Sequence, residues 1–387
     1  MGYVHLIPSL VEYAEKFKQL DSLDFKIIQA MCKHGISNLS RVAEAVRIPQ
    51  QTISYRVSKF DKQDLVRFRA LIDEPRLGLK SYAVLATNQF GKEEASSFSM
   101  TCFPLWRYLA IFDGWKRGNY VRYAIPPNKE RDLGAFLNEL RNRELIEDFE
   151  ILPTTGTNYP LLNLDFYMDK KSGKGFNWTE WVAEYDSYAE AELKEPRNYD
   201  KAEFDIIDLV IMRCFELDAR TSQREIIKKM AKIEKIKDYQ KLIPLVSRRI
   251  RDRINPQGLI RGCRAYLFPN PGPTVLLFMF YISFSKISSL RKFVSGISQL
   301  PYNVGFEKIL GKDALFVRFA IPVHECQNLR KALIELANRG HIKDSHFFMG
   351  DLTGATWDNV EIYQMFKNGA WNFSYGAAMK MLEKVVR

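Results

Sequence analysis

Apolar positions along this chain change their period in a fixed order, and the order occurs twice. Leu23, Ile27, Ile28 and Met31 recur at helical spacing behind Asp21 or Ser22, residues that cap a helix start. Leu39, Val42, Ala43 and Val46 make a second stripe behind Ser37 or Asn38, and Ile53, Val57 and Phe60 a third that Pro49 opens. Leu65 to Asp73 then alternates as a strand. Beyond it the pattern predicts a strand over 81–90, a helix over 93–100, strands over 106–112 and 120–125, an amphipathic helix over 127–143 and a strand over 149–152. That is the order β-α-β-β-α-β, an antiparallel sheet with helices on one face. In the second half, helices are predicted over 204–215, from Thr221 onward, and along Leu245, Val246, Ile250 and Ile254. Segments 274–284, 287–300, 304–310, 314–320, 324–338 and 342–348 repeat the β-α-β-β-α-β order.

Local strings repeat along with the period. Val121-Arg122-Tyr123-Ala124-Ile125-Pro126 returns as Val317-Arg318-Phe319-Ala320-Ile321-Pro322 in a chain of 387 residues. Leu65 to Ala70 is answered by Leu259 to Ala265, and Phe176-Asn177-Trp178 by Trp371-Asn372-Phe373. The expected fold class is therefore α+β: two winged helix-turn-helix domains, each followed by a ferredoxin-like βαββαβ domain, in a pseudo-twofold tandem repeat. The expected boundaries are an N-terminal helical arm at 1–20, heads at 21–78 and 200–268, and ferredoxin-like domains at 79–153 and 269–350. Aromatic extensions fall at 154–199, which includes the linker, and at 351–387. The aromatic residues of the extensions are expected to pack rather than to stack on bases.

Charge adds a partner class. The net charge is +11, and residues 21–80 contribute +4 while 200–268 contribute +6. A basic excess in the same part of both repeats points to a polyanion, double-stranded DNA first. The five cysteines are scattered without a C-x-x-C pair, which excludes a disulfide framework and the common zinc spacings. No cofactor or metal is expected. No apolar run reaches membrane-span length, and the start lacks the order of a secretory signal, so a cytoplasmic, nucleoid-associated protein is expected. Lys170 to Gly175 is too short and wrongly spaced for a P-loop.

The third helix of the first head carries Gln50, Gln51, Thr52, Ser54, Tyr55, Arg56 and Lys59 on its polar side. Amides suit adenine edges, arginine suits guanine or phosphate, and hydroxyls suit phosphate oxygens. Arg67 on the following strand is expected on a wing. In the second head Ser247, Arg248, Arg249 and Arg251 are expected outward, a basic set better suited to phosphate than to base reading. The first head should therefore supply most of the sequence discrimination.

Leu23-Asp24-x-x-Ile27-Ile28, the Ser54–Lys59 helix and Arg69-Ala70-Leu71-Ile72-Asp73-x-Pro75-x-Leu77-Gly78 resemble the DNA-binding half of Lrp/AsnC-type transcription regulators. The resemblance implies a non-enzymatic regulator whose ferredoxin-like domains pair, here within one chain, with the option of further self-association. It also implies a small-molecule effector, for which the turn Gly311-Lys312-Asp313 is the matching candidate. A branch of the same architecture resembles siroheme-type decarboxylases, which use histidine and arginine on their substrate. That alternative would draw on His324, His341, Arg122 and Arg318. A third reading is an interaction module of the transcription machinery.

Overall fold

Asp21 starts the first head by accepting from the backbone N–H groups of Leu23 and Asp24, while Asp24 accepts in return from the backbone of Asp21. This capping box satisfies donors that helix α1 (Ser22–His34) would otherwise leave orphaned. Helices α2 (Leu39–Val46) and α3 (Gln50–Lys62) complete the triple, closed over Ile27, Ile28, Met31, Val42, Ile53, Val57 and Phe60. The structure, a computed structural model, describes residues 19–36, 38–63, 65–89, 91–114, 117–161, 163–168, 176–193, 202–234, 239–266, 275–350, 356–358, 362–372 and 374–385. The expected N-terminal arm and the Lys170–Gly175 loop lie outside these residues.

Strand β1 (Arg67–Ile72) leads into the first β-α-β-β-α-β unit: β2 (Lys80–Thr87), α4 (Glu93–Thr101), β3 (Trp106–Gly114), β4 (Gly118–Ile125), α5 (Glu130–Asn142) and β5 (Asp148–Thr154). Two short helices follow, α6 (Asp165–Met168) and α7 (Trp178–Ala183). The second head comprises α8 (Ile206–Leu217), α9 (Gln223–Glu234), α10 (Tyr239–Arg249) and β6 (Ile260–Tyr266). Its first helix has the same capping box, built from Asp205 and Asp208. The second unit is β7 (Val275–Phe284), α11 (Ile287–Ile297), β8 (Asn303–Lys308), β9 (Ala314–Pro322), α12 (Val323–Asn338) and β10 (Ile342–Gly350).

The strands order as β5-β2-β4-β3-β10-β7-β9-β8 in one antiparallel sheet, with β3 and β10 joining the halves. The far edges also meet. Thr154 bridges Ile309, Asn158 bridges Phe306, and the Leu310 amide donates to the Pro153 carbonyl at 2.8 Å. The sheet thereby curls towards a barrel and protects its edges, which would otherwise invite further pairing. Tyr120 and Phe316, the residues just before the repeated strings, stack inside it with ring centroids 4.5 Å apart and planes 4° off parallel.

The extensions cross over. Trp178, Trp181 and Tyr185 are buried on the second unit, where the Trp181 indole donates to the Gly296 carbonyl. The C-terminal helix α13 (Tyr375–Val385) packs on α4 and α5 of the first unit, and Trp371 donates to the Leu77 carbonyl. The expectation that these aromatics pack is met: each extension covers the other half's core.

β1, the strand expected as the wing of the first head, does not stand alone. It pairs antiparallel with β6, Arg67 opposite Tyr266 and Arg69 opposite Arg264, so the strands expected to be wings form a ribbon between the heads. The ribbon pairs the backbone donors and acceptors that the two strands turn towards each other.

Gly118 tests the packing of the sheet. A Cβ there would sit 1.8 Å from the Ala86 carbonyl oxygen. Gly118→Ala should destabilise the protein by about 2 kcal/mol or more through overpacking, measured by denaturant unfolding. An unchanged midpoint would contradict this account of the β2–β4 pairing.

Candidate functional site: an arginine-lined cavity

Glu74 sits two residues past the end of β1, at the crossing of the first head, the sheet and the second head. Its carboxylate accepts from Arg107 Nε at 2.9 Å, Arg122 Nη1 at 2.6 Å and Ser81 Oγ at 2.9 Å. Arg107 also pairs with Glu216, near the C-terminal end of α8. Burial by itself would raise the Glu74 carboxyl, but the Arg122 and Arg107 charges win and hold it at about 2.

A cavity of about 80 Å³ opens beside this network. Six arginines line it (Arg69, Arg107, Arg122, Arg261, Arg264 and Arg318) against two glutamates, Glu74 and Glu216. β1 supplies an apolar stretch, Ala70, Leu71 and Ile72, and Tyr108, Thr157 and Tyr159 supply hydroxyls. Arg264 lies flat over the Tyr159 ring at 3.5 Å, and Arg318 lies over Tyr108 at 4.5 Å. Such stacking holds a guanidinium by its face and leaves its edge donors for other acceptors. Arg261 donates to two neutral acceptors, the Asn158 side chain and the Thr157 carbonyl. The Nε of Arg122 is buried without a hydrogen-bond partner. Arg318 also donates to Thr157 and to Glu307, a fully buried carboxylate that Tyr120 and Thr157 contact as well. The site draws on both heads, both sheet halves and the segment after β5.

Of the alternative set read from the sequence, the structure brings Arg122 and Arg318 into this cavity and leaves the histidines outside it. His324 is exposed at the start of α12. His341 packs on Tyr185 beside Asp186. The effector candidates Gly311 and Asp313 form an exposed hairpin turn, where the Asp313 carbonyl accepts from Phe284, and neither lines the cavity. Sequence reading missed Glu74, Arg69, Arg107, Arg261, Arg264, Tyr108, Tyr159 and Glu216. A signal existed for three of them: the repeated strings 65–70 and 259–265 carry Arg69, Arg261 and Arg264, and the ribbon sets Arg69 directly opposite Arg264.

The groove-reading residues divide. Gln50, Gln51, Ser54 and Tyr55 are exposed on α3, with Thr52 half-buried. Gln50 also accepts from Ser40, and Lys59 donates to the Gln19 carbonyl at 3.0 Å. Arg56 does not face outward. It binds Asp21 at 2.5 Å and the buried Asp24 at 2.9 Å, because a carboxylate enclosed in the cap demands a cation. Arg249 does the same for Asp205 and Asp208 in the second head. Both arginines are structural counterparts, and their expected outward role is corrected. Ser247 donates to Gln223. Arg248 is exposed, and so is Arg251, which belongs to a π-turn over Ile250–Ile254 and pairs with Asp252. Arg67 is exposed on the ribbon.

Residues 20–67 match the winged helix-turn-helix DNA-binding family. No curated protein matches. Among solved structures, the siroheme decarboxylase NirDL is similar over 94% of this chain and 98% of its own, at 11% identity and a TM-score of 0.51. The same enzyme in co-complex with an iron-uroporphyrin III analogue is similar over 96% and 99%, at 12% identity and a TM-score of 0.50. E. coli AsnC is similar over 35% of this chain and 91% of its own, at 13% identity and a TM-score of 0.27, too low to carry an argument. At these identities the likeness is one of fold. The expectation that the chain is not an enzyme is overturned nonetheless, because the full-length match is to an enzyme and the helix-turn-helix match covers residues 20–67 alone. No described helix is long and apolar enough to cross a membrane.

Two outcomes follow from the charge networks. Arg56→Ala leaves Asp24 buried without its cation and should cost about 3–5 kcal/mol of stability, read by chemical unfolding; a change within error would return Arg56 to an outward role. Glu74 is held below its ordinary 4.5, so its stabilising effect is complete above that pH and fades as pH falls towards 2. The stability gap between wild type and Glu74→Gln should therefore close over that interval, and a gap independent of pH would contradict the network.

Proposed function

We propose that this protein is an enzyme that acts on a carboxylate-bearing substrate in the arginine-lined cavity, with decarboxylation of a siroheme-type tetrapyrrole as the reaction class. The observation that carries the reading is the excess of arginine over carboxylate around one enclosed space. The full-length likeness to a siroheme decarboxylase supplies the reaction class.

The cavity is far smaller than the roughly 300–1,000 Å³ of whole-ligand pockets, so it suits the acidic arms of the substrate, with the ring across its mouth. Losing CO2 from an acetate arm breaks one C–C bond, leaves the electron pair on the methylene carbon and takes up one proton to give a methyl group. Guanidinium donors bound to the departing carboxylate would stabilise the starting state and slow the reaction. The reacting arm therefore lies against Ala70, Leu71 and Ile72, while the arginines hold its neighbours. The lining hydroxyls of Tyr108, Tyr159 and Thr157 are the side chains able to relay the proton. We further infer that the two halves arose by duplication and act as a pseudo-dimer, a reading supported by a cavity that both halves line.

DNA binding by the first head is a second reading, favoured by the match over residues 20–67 and by the exposed Gln50, Gln51, Ser54 and Tyr55. It is compatible with an enzyme.

Incubated anaerobically with siroheme, the protein should yield products lighter by one or two CO2, and Arg122→Met with Arg318→Met should lower the rate by at least about tenfold, the effect of roughly 1.4 kcal/mol. Unchanged siroheme in the presence of tight, sequence-selective duplex binding would sink the enzyme reading in favour of the second.

A further inference from the structure

We propose that Cys32 and Cys263 form a peroxide-responsive dithiol that closes to a disulfide between the two heads. Cys32 lies on α1 of the first head, and Cys263 on β6, the strand that the second head adds to the ribbon. Cys263 Sγ lies 4.0 Å from the carbonyl oxygen of Met31, the residue just before Cys32. Both side chains are half-buried and line one small cavity with Gln29, Leu161, Leu164 and Asn303. A small oxidant therefore reaches the sulfurs without unfolding. The other cysteines differ. Cys102 and Cys214 are buried, and burial pushes the Cys102 thiol up to about 11, away from the reactive thiolate. Within the pair, the neighbouring Cys32 thiol holds the Cys263 thiol below its ordinary range, which marks Cys263 as the sulfur that attacks the oxidant first.

The chemistry balances with hydrogen peroxide as the oxidant. The Cys263 thiolate attacks one peroxide oxygen, the O–O bond breaks, and one water leaves after protonation, giving a sulfenic acid. The Cys32 sulfur then displaces the sulfenic oxygen as a second water. Two thiols lose two electrons and two protons, and one peroxide becomes two waters. The bond would pin β6 to α1. Arg261 and Arg264 flank Cys263 on that strand and line the neighbouring cavity, with Arg264 and Tyr159 lining both cavities. On the enzyme reading above, and only on it, oxidation then slows substrate entry.

The test uses the reduced full-length protein treated with hydrogen peroxide and digested without reductant. Expected is a dominant crosslinked peptide joining Cys32 to Cys263, with a rise in Tm because the crosslink restricts a long loop in the unfolded chain. Cys32→Ser and Cys263→Ser should each abolish the link and the rise, whereas Cys326→Ser should keep both. Separate oxidation of the two sulfurs to sulfinic acids, a dominant link through Cys326, or a linked protein with an unchanged Tm would overturn the proposal. Peptide mapping needs no catalytic activity, so failure here and failure of the enzyme reading are told apart.

Discussion

The rest of the structure depends on how Glu74 is neutralised. A carboxylate this deeply buried, 7% exposed as a residue, survives only with cations and donors around it, and it recruits one from each of two neighbouring strands plus the Ser81 hydroxyl. Arg107 then carries the connection to Glu216 of the second head. The same residues therefore tie the first head's exit, the sheet and the second head, and they form a wall of the arginine-lined cavity. Such networks contribute less to net stability than their geometry suggests, since desolvation offsets most of the attraction. What they provide is a fixed place for several guanidinium groups, which apolar packing could not supply.

The two halves carry several matched features, and departures from the match make the site. The capping boxes, the inward Arg56 and Arg249, the Tyr120–Phe316 stack and the crossed extensions are matched pairs. Glu307 is not. It occupies the β8 position opposite Phe316, where Ala110 stands opposite Tyr120 in the first unit, and it draws Arg318, Thr157 and Tyr120 to itself. Arg122 and Arg318 start as equivalent residues of the repeated string and end with different anchors, one on Glu74 and one on Glu307. Two different guanidinium settings on one cavity suit a substrate with unlike arms.

The sequence carried most of the element order, because periods of 3.6 and 2 are local properties and the sheet follows from the β-α-β-β-α-β order once two units pair. Side-chain direction was less legible. Arg56 looks like a groove-reading residue on a helical wheel, and only the buried carboxylate of Asp24, 32 residues earlier, explains why it turns inward. The ribbon was hidden for the same reason: β1 and β6 are far apart in sequence, and their pairing depends on where the heads land. Hence Arg69, Arg107, Arg261 and Arg264 could not be grouped by spacing. Arg122 and Arg318 were visible through the repeat, whereas the histidines singled out with them lie elsewhere.

The central claim is that this cavity recognises carboxylates on a tetrapyrrole, and equilibrium binding addresses it without requiring turnover. Fluorescence titration with uroporphyrin III and with its fully methylated ester compares the same ring with and without charge. The account predicts tight binding of the free acid that weakens with added salt and with neutral replacements of Arg261 and Arg264, and little binding of the ester. Equal affinity for acid and ester, or free-acid binding indifferent to those arginines, would contradict it.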